Sequence, residues 1–251
     1  MSTVLVIEDN PVNQKVVTSL LKKWGHRVVV AGDGVRGLQA FEHMTFDLVL
    51  MDVQMPAMDG IETTVAIRAR ERVRGGHIPI IAITAHAALM DRVRCLDAGM
   101  DRYLTKPINS ELLRRTIAEL LPAVASEPMA GPVEATGGEV NFEQLKEFVG
   151  DDPVLLAEVI QIFLDDSPLA LDNAARAIIN ADSAALEASA HRLKGSLSTI
   201  GAGAAAETAN LLESMGRDAV LGGAAELCER LRHEVGAIRA SLNLWKGQRA
   251  A

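Results

Sequence analysis

The residues with the most chemical capacity in this chain are acids placed where short aliphatic runs end. Glu8-Asp9 follow Thr3–Ile7, Asp52 follows Leu48-Val49-Leu50-Met51, Thr84 closes Pro79–Thr84, and Lys106 follows Asp101–Thr105. In an open parallel sheet, side chains at the carboxyl ends of the strands line the binding crevice. Three carboxylates, a hydroxyl and a lysine are therefore expected on one rim. Clustered carboxylates repel one another unless a cation binds among them. Magnesium suits such a site, because it takes hard oxygen ligands and retains water for incoming oxygens. One carboxylate can then attack phosphorus and form an acyl phosphate. Lys106 offers a compact charge to a phosphoryl oxygen and Thr84 a hydrogen bond, while the small Ala85 leaves room for the group to enter. Positioning and electrostatics supply most of the catalysis in such a transfer.

A second reactive group lies far along the chain. Within Ser183–Ile200, Leu186, Ala190, Leu193, Leu197 and Ile200 recur at helical spacing and form a narrow apolar seam. At roughly 100° per residue, His191 falls about 140° from that seam and Gly195 roughly opposite it. Lys194 lies between them, about one turn from His191. The expectation is an imidazole pointing into solvent beside a lysine, with a glycine that removes any covering side chain. No metal-binding spacing and no serine or cysteine nucleophile accompanies His191.

The elements that must carry these residues fall into two kinds. The first half alternates strand-like runs (Thr3–Ile7, Arg27–Val30, Asp47–Met51, Pro79–Thr84, Asp101–Thr105) with helical spacing, and continuous apolar strands indicate a parallel sheet covered on both faces. Asn10-Pro11 opens the first helix, with Val12, Val16, Leu20 and Trp24 on one face and Gly25 at its end. Ser110 can cap the last helix of this half, whose buried side is Leu112, Leu113, Thr116, Ile117 and Leu120. Residues 122–140 contain three prolines and three glycines and read as a flexible linker. Beyond it no strand pattern survives. Asn141–Val149, Pro153–Asn180, Ser183–Ile200, Ala202–Met215 and Leu221–Leu244 read as helices, an all-α bundle of about four main members.

Composition supports two units. The 251 residues are 49% apolar, enough for two cores. Residues 1–121 carry 15 Lys+Arg against 14 Asp+Glu, and residues 122–251 carry 10 against 19. The net charge of −8 argues against a broad nucleic-acid surface. No apolar run approaches the roughly 20 residues of a membrane helix, and no signal-peptide pattern opens the chain. A cytoplasmic protein is expected, with Cys95 and Cys228 as reduced, partly buried thiols. The run Arg68, Arg70, Arg72, Arg74 reads as a solvated helix end, and His43 and His233 as plain surface residues.

The peptides VLVIEDNPVN, DLVLMDVQMPAMDG, PIIAITAHA and DRYLTKPI resemble the receiver domain of response regulators and hybrid kinases, across residues 3–121. The resemblance implies a flavodoxin-like (βα)5 fold with strand order 2-1-3-4-5. It implies Asp52 as phosphoacceptor, with magnesium held by Asp9, Asp52 and the backbone carbonyl of Gln54, and by Glu8 through water. It makes Thr84 and Lys106 phosphoryl-stabilising residues, Thr84 and Tyr103 a switching pair, and Lys106-Pro107 a cis peptide. Alone, Asp9 would read as a helix cap, Asp52 as a turn former and Tyr103 as edge packing. AHRLKGSLSTIGA resembles the signature of histidine-phosphotransfer (HPt) domains, which implies a four-helix bundle over 141–251 phosphorylated on His191. Lys194 then stabilises the phosphoryl group and Gly195 gives a partner access.

The two resemblances together imply phosphorelay. A histidine kinase phosphorylates Asp52, and His191 carries the group to or from a receiver or HPt partner. The chain is then a phosphoryl carrier that promotes its own magnesium-dependent aspartyl phosphorylation and dephosphorylation. A linker of 19 residues spans roughly 25 Å if flexible, enough to permit docking of one unit on the other. The rivals are an aspartyl-phosphate phosphatase, disfavoured because Gln54 stands where a second acid is usual, and a receiver that senses without phosphorylation, disfavoured by the complete acid, hydroxyl and lysine set. A transcription factor lacks its basic helix-turn-helix here. The chain also fits the receiver–HPt portion of a larger hybrid kinase, although Met1 close to the first strand favours a natural start.

Overall fold

A computed structural model describes residues 1–84, 89–121, 140–142, 145–146 and 152–249, with only the backbone of 89–92 and 248–249. It divides into two compact units, Met1–Pro132 and Val133–Ala251. The predicted linker over 122–140 and the helix over Asn141–Val149 lie mostly outside the described residues, as does Ala85.

The first unit alternates strands β1 (Thr3–Ile7), β2 (Arg27–Ala31), β3 (Leu48–Asp52), β4 (Ile80–Thr84) and β5 (Arg102–Thr105) with helices α1 (Pro11–Lys23), α2 (Gly34–His43), α3 (Gly60–Arg74), α4 (Leu89–Asp97) and α5 (Ser110–Leu120). All pairings are parallel and the order is β2-β1-β3-β4-β5. The expected flavodoxin-like sheet is therefore present. Alternation along the strands separates two cores. Leu5, Ile7, Val49, Met51, Ile80 and Ala82 face one layer of helices, and Val4, Val6, Leu48, Leu50, Ile81 and Ile83 face the other. Burial on both faces is why these strands read as unbroken aliphatic runs.

Helix ends follow local chemistry. Asn10 caps α1 by accepting from the backbone N–H of Val12 at 2.9 Å and Asn13 at 3.3 Å, with Pro11 in the first turn. The cap of α5 is Asn109 rather than Ser110, since the longer Asn side chain reaches the N–H of Leu112 at 2.8 Å. Leu112 is 41% exposed and does not join the buried side of that helix. Near the active rim, the β3–α3 loop turns back so tightly that a Cβ on Gly60 would lie 2.1 Å from the Asp52 carbonyl oxygen. Only glycine fits there.

The arginine run is a correction to the sequence reading. Arg68 is not solvated: its guanidinium pairs with Glu71 at 2.6 Å and Asp101 at 2.9 Å, and donates to the carbonyls of Gly99 and Ile78. Glu71 and Asp101 in turn accept from the N–H groups of Ile78 and Ile80, tying α3 to the start of β4. Arg70 pairs with Glu42 on α2 at 2.6 Å. An every-second-residue pattern looks like a helix surface in sequence. It becomes a clamp because the loops before β4 and β5 return beneath the end of α3.

The second unit contains α6 (Pro153–Ile179), α7 (Ser183–Thr199), α8 (Gly203–Arg217) and α9 (Ala224–Arg249), four long helices among the described residues. Asp152 and Asp182 cap α6 and α7. The seam predicted on α7 is the buried one, with Leu186, Ala190, Leu193, Leu197 and Ile200 all at 0–1% exposure. α7 and α8 approach so closely that a Cβ on Gly216 would meet the Glu187 backbone nitrogen at 2.5 Å.

Pro168 sits inside α6 and cannot donate to the carbonyl of Leu164. Arg239 of α9 fills that role, donating to the Leu164 oxygen at 2.5 Å and to Ser167 Oγ at 3.3 Å. Replacing Arg239 by Leu is expected to cost about 1–3 kcal/mol of stability, because a buried carbonyl loses its donor. The cost should shrink in a Pro168→Ala background, where the helix supplies its own N–H. Additive losses in denaturant unfolding of the two single variants and the double variant would show that Arg239 serves another purpose.

Candidate functional site

The carboxyl ends of β1, β3 and β5 bring their polar residues together as the chain order requires. Glu8 directly follows β1 and is hydrogen-bonded through its backbone to Ala31 at the end of β2. Asp52 ends β3 opposite Ile83, and Lys106 directly follows β5, where its N–H donates to the Thr84 carbonyl at 2.7 Å. One ligand oxygen from each of Glu8, Asp9 and Asp52 lies within 4.8 Å of the others. Lys106 Nζ sits in the cluster, 2.6 Å from Asp52 Oδ2 and 2.9 Å from Glu8 Oε2. Asp52 Oδ1 accepts the Gln54 N–H at 3.2 Å.

Two buried acids share one ammonium, with a third acid beside them. Glu8 and Asp52 are each 1% exposed. Burial pushes the Asp52 carboxyl well above its ordinary range, and the charges of Glu8 and Asp9 push further against the pull of Lys106. Burial also pushes Glu8 up, but Lys106 and the hydrogen bonds it and Asn13 donate hold that carboxyl below its usual range. Burial lowers Lys106, and the two carboxylates more than restore it, so its ammonium is held above the ordinary lysine range. This donor set of clustered hard oxygens with excess negative charge fits a small divalent cation.

Thr84 is the last residue of β4 and 3% exposed. Tyr103 lies across from Ala82 in the β4–β5 register, so it shares a sheet face with Thr84 two residues on. Its ring is half-buried against the core of that face. The Lys106–Pro107 peptide is cis, as the sequence resemblance implied.

In the helical unit the sequence reading of His191 requires correction. The ring does not stand free in solvent: its side chain is 12% exposed, and Nδ1 lies 3.0 Å from Glu213 Oε1. Lys194 is 9% exposed, its Nζ paired with the second oxygen of Glu213 and 3.4 Å from Asn210 Oδ1. Packing along the seam alone would leave His191 and Lys194 open, whereas α8 covers the side of α7 that carries them. Nε2 of His191 is neither paired nor shut off from solvent among the described residues. That nitrogen therefore stays accessible although the ring is mostly covered. Gly195 is half-buried, and its carbonyl accepts from Thr199 Oγ1.

Glu213 is the residue that sequence reasoning missed. It is 1% exposed and also accepts from Arg217 Nη2 at 2.9 Å. Burial pushes its carboxyl up, but His191 and Lys194 outweigh that and bring it down to about 2. The available signal was the i,i+4 pair Glu213 and Arg217, with Gly216 between them allowing α8 to reach α7.

A five-stranded parallel sheet with an acidic rim and a helical bundle bearing a histidine–lysine–acid cluster are thus the two units of this chain. Residues 4–118 match the response regulator receiver domain and residues 158–241 the Hpt domain, and the chain belongs to these two families in that order. Among relatives, hybrid signal transduction histidine kinase I of Dictyostelium discoideum is 47% identical over 119 residues, covering 45% of this chain and 7% of that protein. Sensor protein GacS of Pseudomonas syringae pv. syringae is 46% identical over 115 residues, covering 45% of this chain and 13% of that one. This chain thus spans a small part of the length of these relatives. A solved receiver domain from a sensor histidine kinase of Pseudomonas aeruginosa PAO1, with magnesium in its active-site cleft, is 40% identical; it covers 49% of this chain and 98% of that one, with a TM-score of 0.45.

Two outcomes follow from the electrostatics. A carboxyl held above its ordinary range, as Asp52 is, costs the fold stability, a cost absent below the ordinary carboxylate value of 3.8 that grows as pH rises from there and is complete above the raised value. In metal-free protein at neutral pH, Asp52→Asn should raise the unfolding midpoint of the first unit by a few degrees in calorimetry, and an unchanged midpoint would refute the charge imbalance. Glu213 has the opposite sign. Its stabilising effect is complete above the ordinary value of 4.5 and is lost as pH falls toward about 2. Helical circular dichroism should show Glu213→Gln less stable than wild type at neutral pH, with the gap closing over that window.

Proposed function

We propose that the chain is a phosphorelay component that accepts a phosphoryl group on Asp52 in a receiver unit spanning 1–121 and carries one on His191 in an HPt unit spanning 141–251, with 122–140 as the linker. The observation that carries this reading is the Lys106 ammonium 2.6 Å from Asp52 within a three-carboxylate cluster.

Asp52 is the nucleophile. One of its oxygens forms a bond to phosphorus as the phosphorus–nitrogen bond of a donor phosphohistidine breaks, and the released imidazole takes up a proton. Lys106 shifts from its carboxylate partners toward the phosphoryl oxygens, and Thr84 donates its hydroxyl to another. Tyr103, on the same sheet face as Thr84, follows that movement as the switch. Asp9, Asp52 and the Gln54 carbonyl would hold a magnesium ion, with Glu8 reaching it through water, and the ion would supply positive charge to the acids and the phosphoryl oxygens.

At the second site the Glu213 carboxylate holds Nδ1, which keeps its proton there and leaves the lone pair on Nε2 for attack on phosphorus. His191 forms the nitrogen–phosphorus bond as the acyl–phosphate bond of a receiver aspartate breaks, and the reverse step returns the group. Lys194 serves the phosphoryl oxygens, and Gly195 leaves space for the partner's rim. Donor and acceptor partners are therefore a histidine kinase and other receiver or HPt proteins, with no direct nucleic-acid role. No described helix is long and apolar enough to cross a membrane. A cytoplasmic location agrees with relay partners of this class.

A second reading, in which the chain acts as one portion of a hybrid kinase, is favoured by the nature of the relatives, sensor and hybrid histidine kinases of which it spans a small part. Both readings share one test. Incubation with acetyl phosphate and magnesium, followed by site mapping, should give base-labile label on Asp52 that is abolished by Asp52→Ala. A phosphorylated receiver partner should transfer acid-labile label to His191, and His191→Gln should abolish it. Label in the first unit that survives Asp52→Ala would refute the assignment.

A further inference from the structure

Glu8 has a neutral partner that no other part of the proposed reaction uses. Asn13 lies in the first turn of α1, four residues after Asp9, and is 4% exposed. Its Nδ2 donates to Glu8 Oε1 at 3.1 Å. The same oxygen accepts the Asn10 N–H at 3.2 Å and lies 3.2 Å from Lys106 Nζ. Three donors therefore converge on Oε1, while Oε2 meets the Lys106 ammonium at 2.9 Å and no other donor among the described residues. The next residue acts on the backbone of the same acid, since Gln14 Nε2 donates to the Glu8 carbonyl at 2.6 Å.

The terminal torsion of a glutamate is soft and roughly two-fold, so nothing in the side chain itself decides which oxygen faces a site. Donors fixed in the frame of a capped helix do decide it. The Asn13 backbone is anchored by the Asn10 side chain at 3.3 Å, so its amide hangs from the most constrained turn of α1. The residue type also matters. A lysine at this position would add a charge that competes with a cation, an aspartate would repel Glu8, and an aliphatic side chain would leave Oε1 one donor short.

We propose that Asn13 is a positioning residue of the phosphoryl site, holding Glu8 by one oxygen so that the other stays available to Lys106 and to the water of a bound divalent cation. Asn13 thereby raises cation affinity without touching the cation. The proposal rests on the receiver reading of the first unit but not on any phosphoryl transfer.

Magnesium titration of the full chain by calorimetry, without phosphodonor, tests it in four forms: wild type, Asn13→Leu, Glu8→Ala and the double variant. Asn13→Leu should bind magnesium roughly 5–10-fold more weakly, the worth of one ordinary hydrogen bond, because the lost bond acts on the cation only through Glu8. In the Glu8→Ala background the same substitution should change affinity by less than about twofold, since the group it acts through is gone. In metal-free protein the Asn13 side-chain amide should give slowly exchanging resonances that become ordinary in Glu8→Ala. Unchanged affinity in Asn13→Leu, or an equal loss with and without Glu8, would overturn the proposal. Asn13→Ala carries the same comparison if the leucine variant does not fold. Normal coupling in a chain that cannot be labelled on Asp52 would refute the relay reading and leave this one standing.

Discussion

The ammonium of Lys106, shared between Asp52 and Glu8 at 2.6 and 2.9 Å, is the interaction around which the first unit is organised. Two carboxylates could not be buried side by side without it, and a third acid, Asp9, brings an oxygen within 4.8 Å of both. Such a crowding of hard oxygens around one ammonium is the feature that suits the site to a divalent cation. The fold supplies the arrangement at little cost, because parallel strands deliver their ends to one rim and the crossover helices start there.

The helical unit solves the inverse problem. One buried carboxylate, Glu213, is surrounded by His191, Lys194 and Arg217. Here the surplus is positive, which suits a group that arrives with negative charge. The acid also fixes the imidazole by one nitrogen, so nucleophilic character is directed to the other. In both units a charged partner fixes the group beside it: Lys106 holds Asp52, and Glu213 holds His191.

Both sites also rely on missing side chains. Gly60 lets the loop after β3 fold onto the Asp52 carbonyl, and Gly216 lets α8 close on α7 until Glu213 reaches His191. Arg68 contributes from the opposite end of the sheet, where it pins the starts of β4 and β5 and so fixes the strands whose far ends carry Thr84 and Lys106. Arg239 does comparable work for α6, supplying the hydrogen bond that Pro168 withholds.

Strand positions, the parallel sheet, the acidic rim and the seam of α7 were legible in the sequence, because period, strand-end chemistry and capping are local and leave a direct trace in residue order. The partners of those residues were not. Arg68, which read as solvated with the rest of its run, became a clamp while Arg72 and Arg74 stayed exposed, and the exposed histidine became a ring held by Glu213. In each case a segment distant in sequence covers a face that looked open when its element was considered alone. Asn13 belongs with them: its type and spacing are visible in the chain, but its bond to Glu8 exists only where α1 begins beside the end of β1. Sequence by itself determined which groups could react and on which elements they ride. Tertiary packing decided their charge state, their orientation and which of their atoms remain free, since those depend on burial and on neighbours brought from elsewhere.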